Sequence, residues 1–400
     1  MKRFVTKAIN PLKFFITDSR SIGILLLLCT AFSLLMSNAW GGGWYRSIWN
    51  ADISSILNLP HSPQKWINDF LMAFFFLFAG MEIKRELVAG ELSSFKRAVL
   101  PFGAALGGMV VPAMIFFVFN RQSAFVHGWG IPTATDIAFS LGIASLFGKR
   151  VPIGLKIFLM ALAIIDDLGA IIVIAVFYGG KVEGVYLIIS AVLYGLLWLC
   201  NYARMKPGLI QLVISLLLWY AILNSGIEAS ISGVLVAFAM PVYSLVKLEK
   251  IIHGAVNFFI LPFFALANTA ILIPGDISSA LDSSIAFGVV AGLVIGKPVG
   301  IFLFSRILVA LNVAKLPAQT YWKQFVGMGT LAGIGFTMSI FTTTLAFGEE
   351  SNRDVAKIAI LLSMVLSLIV SWLYFLSISN TNIGKSMAIG TSADREIALG

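Results

Sequence analysis

The stretch LKIFLMALAIIDDLGAIIVIAVFYGG, residues 155–180, carries Asp166 and Asp167 side by side in the middle of an apolar run. About 20 apolar residues suffice to cross a bilayer as a helix. Each carboxylate at that depth costs about 2.5 kcal/mol or more on insertion scales, and folding has no use for two. Groups kept there face a water-filled cavity and handle ions or protons. This segment therefore predicts a helical membrane protein with a cation or proton path.

Composition agrees. The 400 residues are 59% hydrophobic and 12% charged, with a mean hydropathy of +0.94, whereas soluble domains carry roughly 25% charged residues. Apolar stretches long enough to span lie near 21–39, 66–83, 98–119, 127–147, 155–178, 184–200, 208–224, 228–246, 254–273, 286–304, 325–347 and 355–377. Only Asn224-Ser225-Gly226 separates the seventh from the eighth. The expectation is an all-α polytopic membrane protein of twelve transmembrane helices over 21–377. A cytoplasmic segment, 1–20, precedes it and a polar, Gly/Ser-rich tail, 378–400, follows. Residues 21–36 behind a basic start have the outline of a secretory leader. The long polar N-terminus and the eleven spans that follow favour a retained first helix.

The net charge of +9 needs no nucleic-acid partner to explain it. With both termini inside, 21 of the 28 Lys and Arg residues fall on the cytoplasmic side, which is the positive-inside bias that orients membrane proteins. Lys297 alone sits deep within a span. Cys29 and Cys200 lie in apolar spans and read as small hydrophobes, with neither a disulfide framework nor metal-ligand spacing. No cofactor is expected beyond transported ions.

Two spans are interrupted. The fourth reads HGWGIPTATDIAFSLGIASLF, with Gly128, Gly130 and Pro132 ahead of Thr133, Thr135 and Asp136. The eleventh reads FVGMGTLAGIGFTMSIFTTTLAF, with Gly327, Gly329, Gly333 and Gly335 ahead of Thr337 and Ser339. Glycines of this kind also serve close helix packing. Gly/Pro-broken spans at matching places of two halves point instead to a transporter site at an inverted-repeat interface. The repeat is inferred from layout, since the halves share no detectable identity.

Neighbouring residues on a helix point about 100° apart. If Asp167 faces the cavity, Asp166 turns to another helix, and Lys297 is its candidate partner. The lysine lies in AGLVIGKPVGIFLF, where Gly292, Gly296 and Gly300 recur every fourth residue and let a helix approach closely. A buried ion pair can also specify packing without transporting anything. Asp136 stands where half-helix N-termini favour a carboxylate. Oxygen-rich sites suit hard cations, a rule stated for Ca²⁺ and Mg²⁺ that extends to Na⁺ and Li⁺. Asp166 and Asp167 are the candidate Na⁺ ligands. The cluster Glu82, Lys84, Arg85 and Glu86 reads first as an interface anchor, and His253, beside Glu249 and Lys250, as a passive interface residue. Asp69 and Glu228, at the outer face, read as solvated.

The segments WINDFLMAFFFLFAGMEIKREL (66–87), PTATDIAFSLGIASLFGKRVP (132–152), FLMALAIIDDLGAIIVIA (158–175), LPFFALANTA (261–270), GLVIGKPVGI (292–301) and LAGIGFTMSIF (331–341) resemble the NhaA-type sodium/proton antiporters of bacterial inner membranes. The resemblance covers essentially the whole chain. It implies two inverted repeats with crossed, interrupted fourth and eleventh helices. It implies that Asp166 and Asp167 are the central ion and proton carboxylates, with Asp136 and Thr135 beside the crossing and Lys297 paired to Asp166 in one state. It further implies electrogenic exchange of Na⁺ or Li⁺ for two protons, switched on at alkaline pH through Glu82, Arg85, Glu249 and His253, for sodium and pH homeostasis. A homodimer belongs to the same set of expectations. Lys250 stands where the family's pattern has a histidine, and the family's β-hairpin is not evident in AWGGGWYRSIWNADISSILNLP.

Four other readings stand against this one. An intramembrane aspartyl protease needs two carboxylates on facing helices and a Gly-x-Gly-Asp motif; adjacent aspartates cannot meet head-on, so no enzyme is expected. A prenyl diphosphate site needs a further acid about a turn on, where Leu168, Gly169 and Ala170 stand. A cation channel would be insensitive to a proton gradient, and an Na⁺-coupled organic-anion symporter would move a labelled solute.

Overall fold

Backbone amides in hydrocarbon have no water to bond, so an apolar run must close its own hydrogen bonds as a helix. The computed structural model describes residues 19–39, 42–53, 58–203, 205, 208–275, 278, 281–317 and 320–378, and among these every regular element is helical. Residues 1–18 of the N-terminal segment and 379–400 of the tail lie outside the described residues. In chain order the helices are α1 (Ser19–Asn38), α2 (Gly43–Asn50), α3 (Pro63–Ala89), α4 (Phe95–Asn120) and α5 (Ile137–Leu146). Then come α6 (Ile153–Phe177), α7 (Gly184–Tyr202), α8 (Leu209–Leu223), α9 (Ile231–Ala239) and α10 (Val242–Asn268). The last four are α11 (Ser284–Ala310), α12 (Trp322–Ala332), α13 (Phe336–Ala346) and α14 (Glu350–Ser377). Eight of them are long and apolar enough to span, and α12 with α13 makes a ninth, bent by 45° at its break.

The eighth and ninth spans are divided differently from the sequence reading. The run at 228–246 holds α9, nine residues long, or about 14 Å, short of a bilayer, and then the first residues of α10. Met240 takes an extended ψ of 147° ahead of Pro241, because proline disfavours helical backbone in the residue before it. The ninth helix therefore starts at Val242 instead of 254 and runs on to Asn268. In place of the hairpin region stands α2, with no strand among the described residues.

The span α6 is the most enclosed, with 67% of its apolar window buried. Its depth is what places Asp166 and Asp167 at the centre. The glycine ridge of α11 packs as its spacing requires: a Cβ on Gly300 would land on the Gly107 carbonyl of α4, and one on Gly296 would meet Pro112. This close approach brings Lys297 inside.

Candidate functional site

Two breaks in helical backbone meet beside α6. In the first, a 3-10 stretch, Ala124–Thr133, gives way to extended residues before α5. In the second, Gly333–Gly335 separates α12 from α13. Each break strands carbonyls that need donors, and the opposite segment supplies them. Ser339 Oγ donates to the Ile131 carbonyl at 2.7 Å, Ser140 Oγ to that of Leu331 at 2.8 Å, and the Asp136 amide to that of Ile334 at 2.7 Å. The Lys297 ammonium, at the C-terminal end of a π-helical turn spanning Gly292–Gly296, donates to the Thr133 carbonyl.

Asp136 serves the two helix starts. Its Oδ1 accepts the Phe139 amide of α5 at 3.1 Å, and its Oδ2 accepts the Thr337 amide and hydroxyl of α13 at 3.2 and 2.7 Å. One carboxylate thus lies between two positive helix ends. Asp166 is fully buried against Lys297, with Oδ2 2.9 Å from Nζ. The Thr135 hydroxyl lies 2.7 Å from the same oxygen and 2.9 Å from the Ala332 carbonyl, with one proton to share.

Asp167 differs from these. It is 6% exposed, and no cation lies within ion-pair distance among the described residues. Its Oδ1, like that of Asp166, is buried without a hydrogen-bond partner, but Asp167 has no counterpart to the Lys297 and Thr135 contacts of Asp166 Oδ2. It lines a cavity of about 280 Å³ together with Thr135, Asp136 and Thr337 on one wall and Glu82, Glu249 and His253 on the other. The adjacent carboxylates therefore diverge, as their 100° separation requires: one is consumed in a pair and one is open. With both acids expected to bind Na⁺, only Asp167 presents oxygen to the cavity in this conformation.

The profile of the Na⁺/H⁺ antiporter 1 family matches residues 13–375. The chain belongs to that family. It is 42% identical over 375 residues to the Na⁺/H⁺ antiporter NhaA 2 of Clostridium beijerinckii, covering 90% of this chain and 93% of the relative. It is 46% identical over 363 residues to the Na⁺/H⁺ antiporter NhaA 2 of Flavobacterium johnsoniae, covering 88% and 89%. Against the Na⁺/H⁺ antiporter NhaA of Dechloromonas aromatica the identity is 45% over 370 residues, covering 90% and 94%.

In this family member the MEIKREL cluster is more than an interface anchor. Arg85 reaches Glu249 of α10 at 2.7 Å, Glu86 at 3.4 Å and Glu82 at 3.9 Å. Lys84 turns the other way and donates to the carbonyls of Ala237, Phe238 and Met240 at the C-terminal end of α9. His253 stacks edge-on against Phe78, ring centres 5.8 Å apart, on the cavity wall. Sequence reasoning passed over Asn257, which lines the same cavity from a π-helical turn of α10, and Ser140. A lone amide in VNFFILPFF was the available signal. Asp69 and Glu228, read as solvated, are half-buried; Glu228 accepts from Ser230 at 3.3 Å, and the Asp69 carboxylate is close enough to perturb it.

Proposed function

We propose that this chain is a secondary active antiporter of a bacterial inner membrane that exchanges cytoplasmic Na⁺ or Li⁺ for external protons. The observation that carries the reading is Asp167, a buried carboxylate without a partner among the described residues and lining a cavity. To hold Na⁺ it must be ionised, and when no cation is present a proton is its natural substitute. Thr135, Asp136 and Thr337 bring further oxygens to the same wall. Because both cargoes use the same oxygens, one expels the other. No covalent step is needed, so the activity is transport without enzyme chemistry.

Asp166 and Lys297 form the second element of the proposal. Closed, the pair holds its charges together; opened by a change of access, it frees an acid and a base to carry a second proton. Two protons against one Na⁺ move net charge, so exchange is electrogenic. Glu82, Arg85, Glu249 and His253, on the cytoplasmic flank of the cavity, set its activation at alkaline pH. The meeting of the two breaks supports the crossing of two interrupted helices within a twelve-helix, inverted-repeat architecture. The bias of 21 of 28 basic residues supports cytoplasmic termini, and the family supports a homodimer and a role in sodium and pH homeostasis.

The test is dequenching of a pH-sensitive dye in proteoliposomes on adding Na⁺, Li⁺ or K⁺ over a pH series. Dequenching by Na⁺ and Li⁺ but not K⁺, stronger at alkaline pH, is expected. Cation flux indifferent to the proton gradient would make the protein a channel, and uptake of a labelled organic anion driven by Na⁺ would make it a symporter.

A further inference from the structure

A second and larger cleft, of about 690 Å³, opens at the end of the molecule that the charge bias places in the cytoplasm. It shares no lining residue with the Asp167 cavity. Its walls are the first turns of α4 and α6 and the loop after α11. Two features stand together in it. The rim carries Lys96, Arg97 and Lys315, all exposed, against the single carboxylate of Glu91. Glu91 meets Arg97 at 3.4 Å in an exposed pair, and exposed pairs of this kind contribute little. Neither Lys96 nor Lys315 has an ion-pair partner among the described residues. The inner wall, by contrast, is apolar: Ile157 and Val313 are exposed in it and Leu316 is half-buried, backed by the buried Leu100 and Phe158.

We propose that this cleft binds an anionic phospholipid, with its phosphate between Lys96, Arg97 and Lys315 and one acyl chain along Ile157, Val313 and Leu316. Charge decides the headgroup, because three cations confront one acid in a place where anionic lipid of the cytoplasmic leaflet is at hand. The wall decides that the ligand is an amphiphile. A free phosphate would compensate the rim and leave the apolar wall uncovered, whereas a neutral hydrocarbon would do the reverse. Depth fits as well. Phe95 and Ile153, the first residues of α4 and α6 and 82% and 76% exposed, are apolar side chains of the kind that sit at the junction of headgroups and acyl chains. The site is independent of the transport reading, since none of its residues touches the ion path.

The experiment uses the purified full-length chain in neutral detergent. Thermal melting is followed with phosphatidylglycerol, phosphatidylcholine or glycerol phosphate added, and native mass spectrometry of the same samples counts retained lipid. Phosphatidylglycerol is expected to raise the melting temperature of wild type by a few degrees and to saturate; phosphatidylcholine and glycerol phosphate are expected to do neither. The double variant Lys96→Gln/Lys315→Gln should lose at least half of that rise and retain one phosphatidylglycerol fewer. A double variant of equal charge elsewhere, Lys247→Gln/Lys323→Gln, should behave as wild type. Without lipid the Lys96/Lys315 variant should be at least as stable as wild type, because it removes two unpaired cations. An equal rise with phosphatidylcholine, an unchanged lipid count in the Lys96/Lys315 variant, or an equal loss in the control variant would overturn the proposal. Stabilisation by glycerol phosphate would assign the rim to a soluble anion instead.

Discussion

Asp167 has no hydrogen bond or ion pair among the described residues, while Asp166, the next residue along α6, is held by Lys297 and Thr135. Losing Asp167 should therefore abolish exchange and leave the fold intact. Asp167→Asn is expected to show no Na⁺-driven proton movement at any pH and a melting temperature close to that of wild type. Normal dequenching by that variant would remove the residue from the transport cycle. A second residue-scale effect concerns stability. Glu228, in the turn before α9, is pushed up from its ordinary 4.5 to about 8, first by burial and then by the Asp69 carboxylate. The fold favours its neutral form. From about pH 4.5 upward the unfolded chain ionises while the folded chain keeps its proton to about 8. Stability from this group is thus complete below the lower value and falls between the two. Glu228→Gln should melt with wild type near pH 4 and above it near pH 9. A constant gap across that range would show that the carboxyl does not titrate in this window.

Between elements, the strongest coupling is the ion pair that joins α6 to α11. Removing either Asp166 or Lys297 strands a buried charge, which costs on the order of 3–5 kcal/mol. Asp166→Asn with Lys297→Gln strands none, so melting temperature should largely recover in the double variant. Strictly additive losses would mean that the two side chains act separately. The double variant should still move Na⁺, with less charge per cycle measured on a solid-supported membrane. Lys84 makes a different link. Its ammonium lies on three carbonyls at the C-terminal end of α9, where a cation complements the negative end of a helix. Lys84→Met should cost about 1.5–3 kcal/mol, the worth of hydrogen bonds to a charged group. Lys84→Arg should restore part of that in the same melting assay.

At the scale of the molecule, binding and folding are linked. A cation that binds only the folded chain raises its melting temperature by mass action, and it binds only after a proton leaves the same oxygens. The melting temperature should therefore rise with NaCl, and by more at about pH 8.5 than at about pH 6, whereas KCl at equal ionic strength should produce a small and pH-independent change. Equal effects of the two salts would show a general ionic response. Calorimetry in two buffers of different ionisation enthalpy should give different heats of Na⁺ binding, the difference reporting the proton released.

Much of this protein follows from one-dimensional patterns. Hydropathy alone marks the long spans, because a helix is the only single segment that satisfies its own backbone in lipid. The cost of charge at bilayer depth singles out Asp166, Asp167 and Lys297 without any knowledge of their neighbours. Spacing alone sends the adjacent aspartates in different directions, and the glycines at every fourth position of α11 declare a close contact. Sequence could not say which contact that is. That Gly300 lies on Gly107, that Ser339 answers Ile131, and that Asp136 joins α5 to α13 are pairings across more than a hundred residues, set by how the helices pack. The same holds for Lys84 and Arg85, neighbours in the chain that serve α9 and Glu249 on α10. The end of α9 at Met240-Pro241 was within reach of the local signal, but a hydropathy run overrode it. Sequence named Lys297 as the candidate partner of Asp166; only tertiary packing decided that the pair is closed, at 2.9 Å, and that Asp167 is left open among the described residues, because a partner for a buried charge must come from another helix.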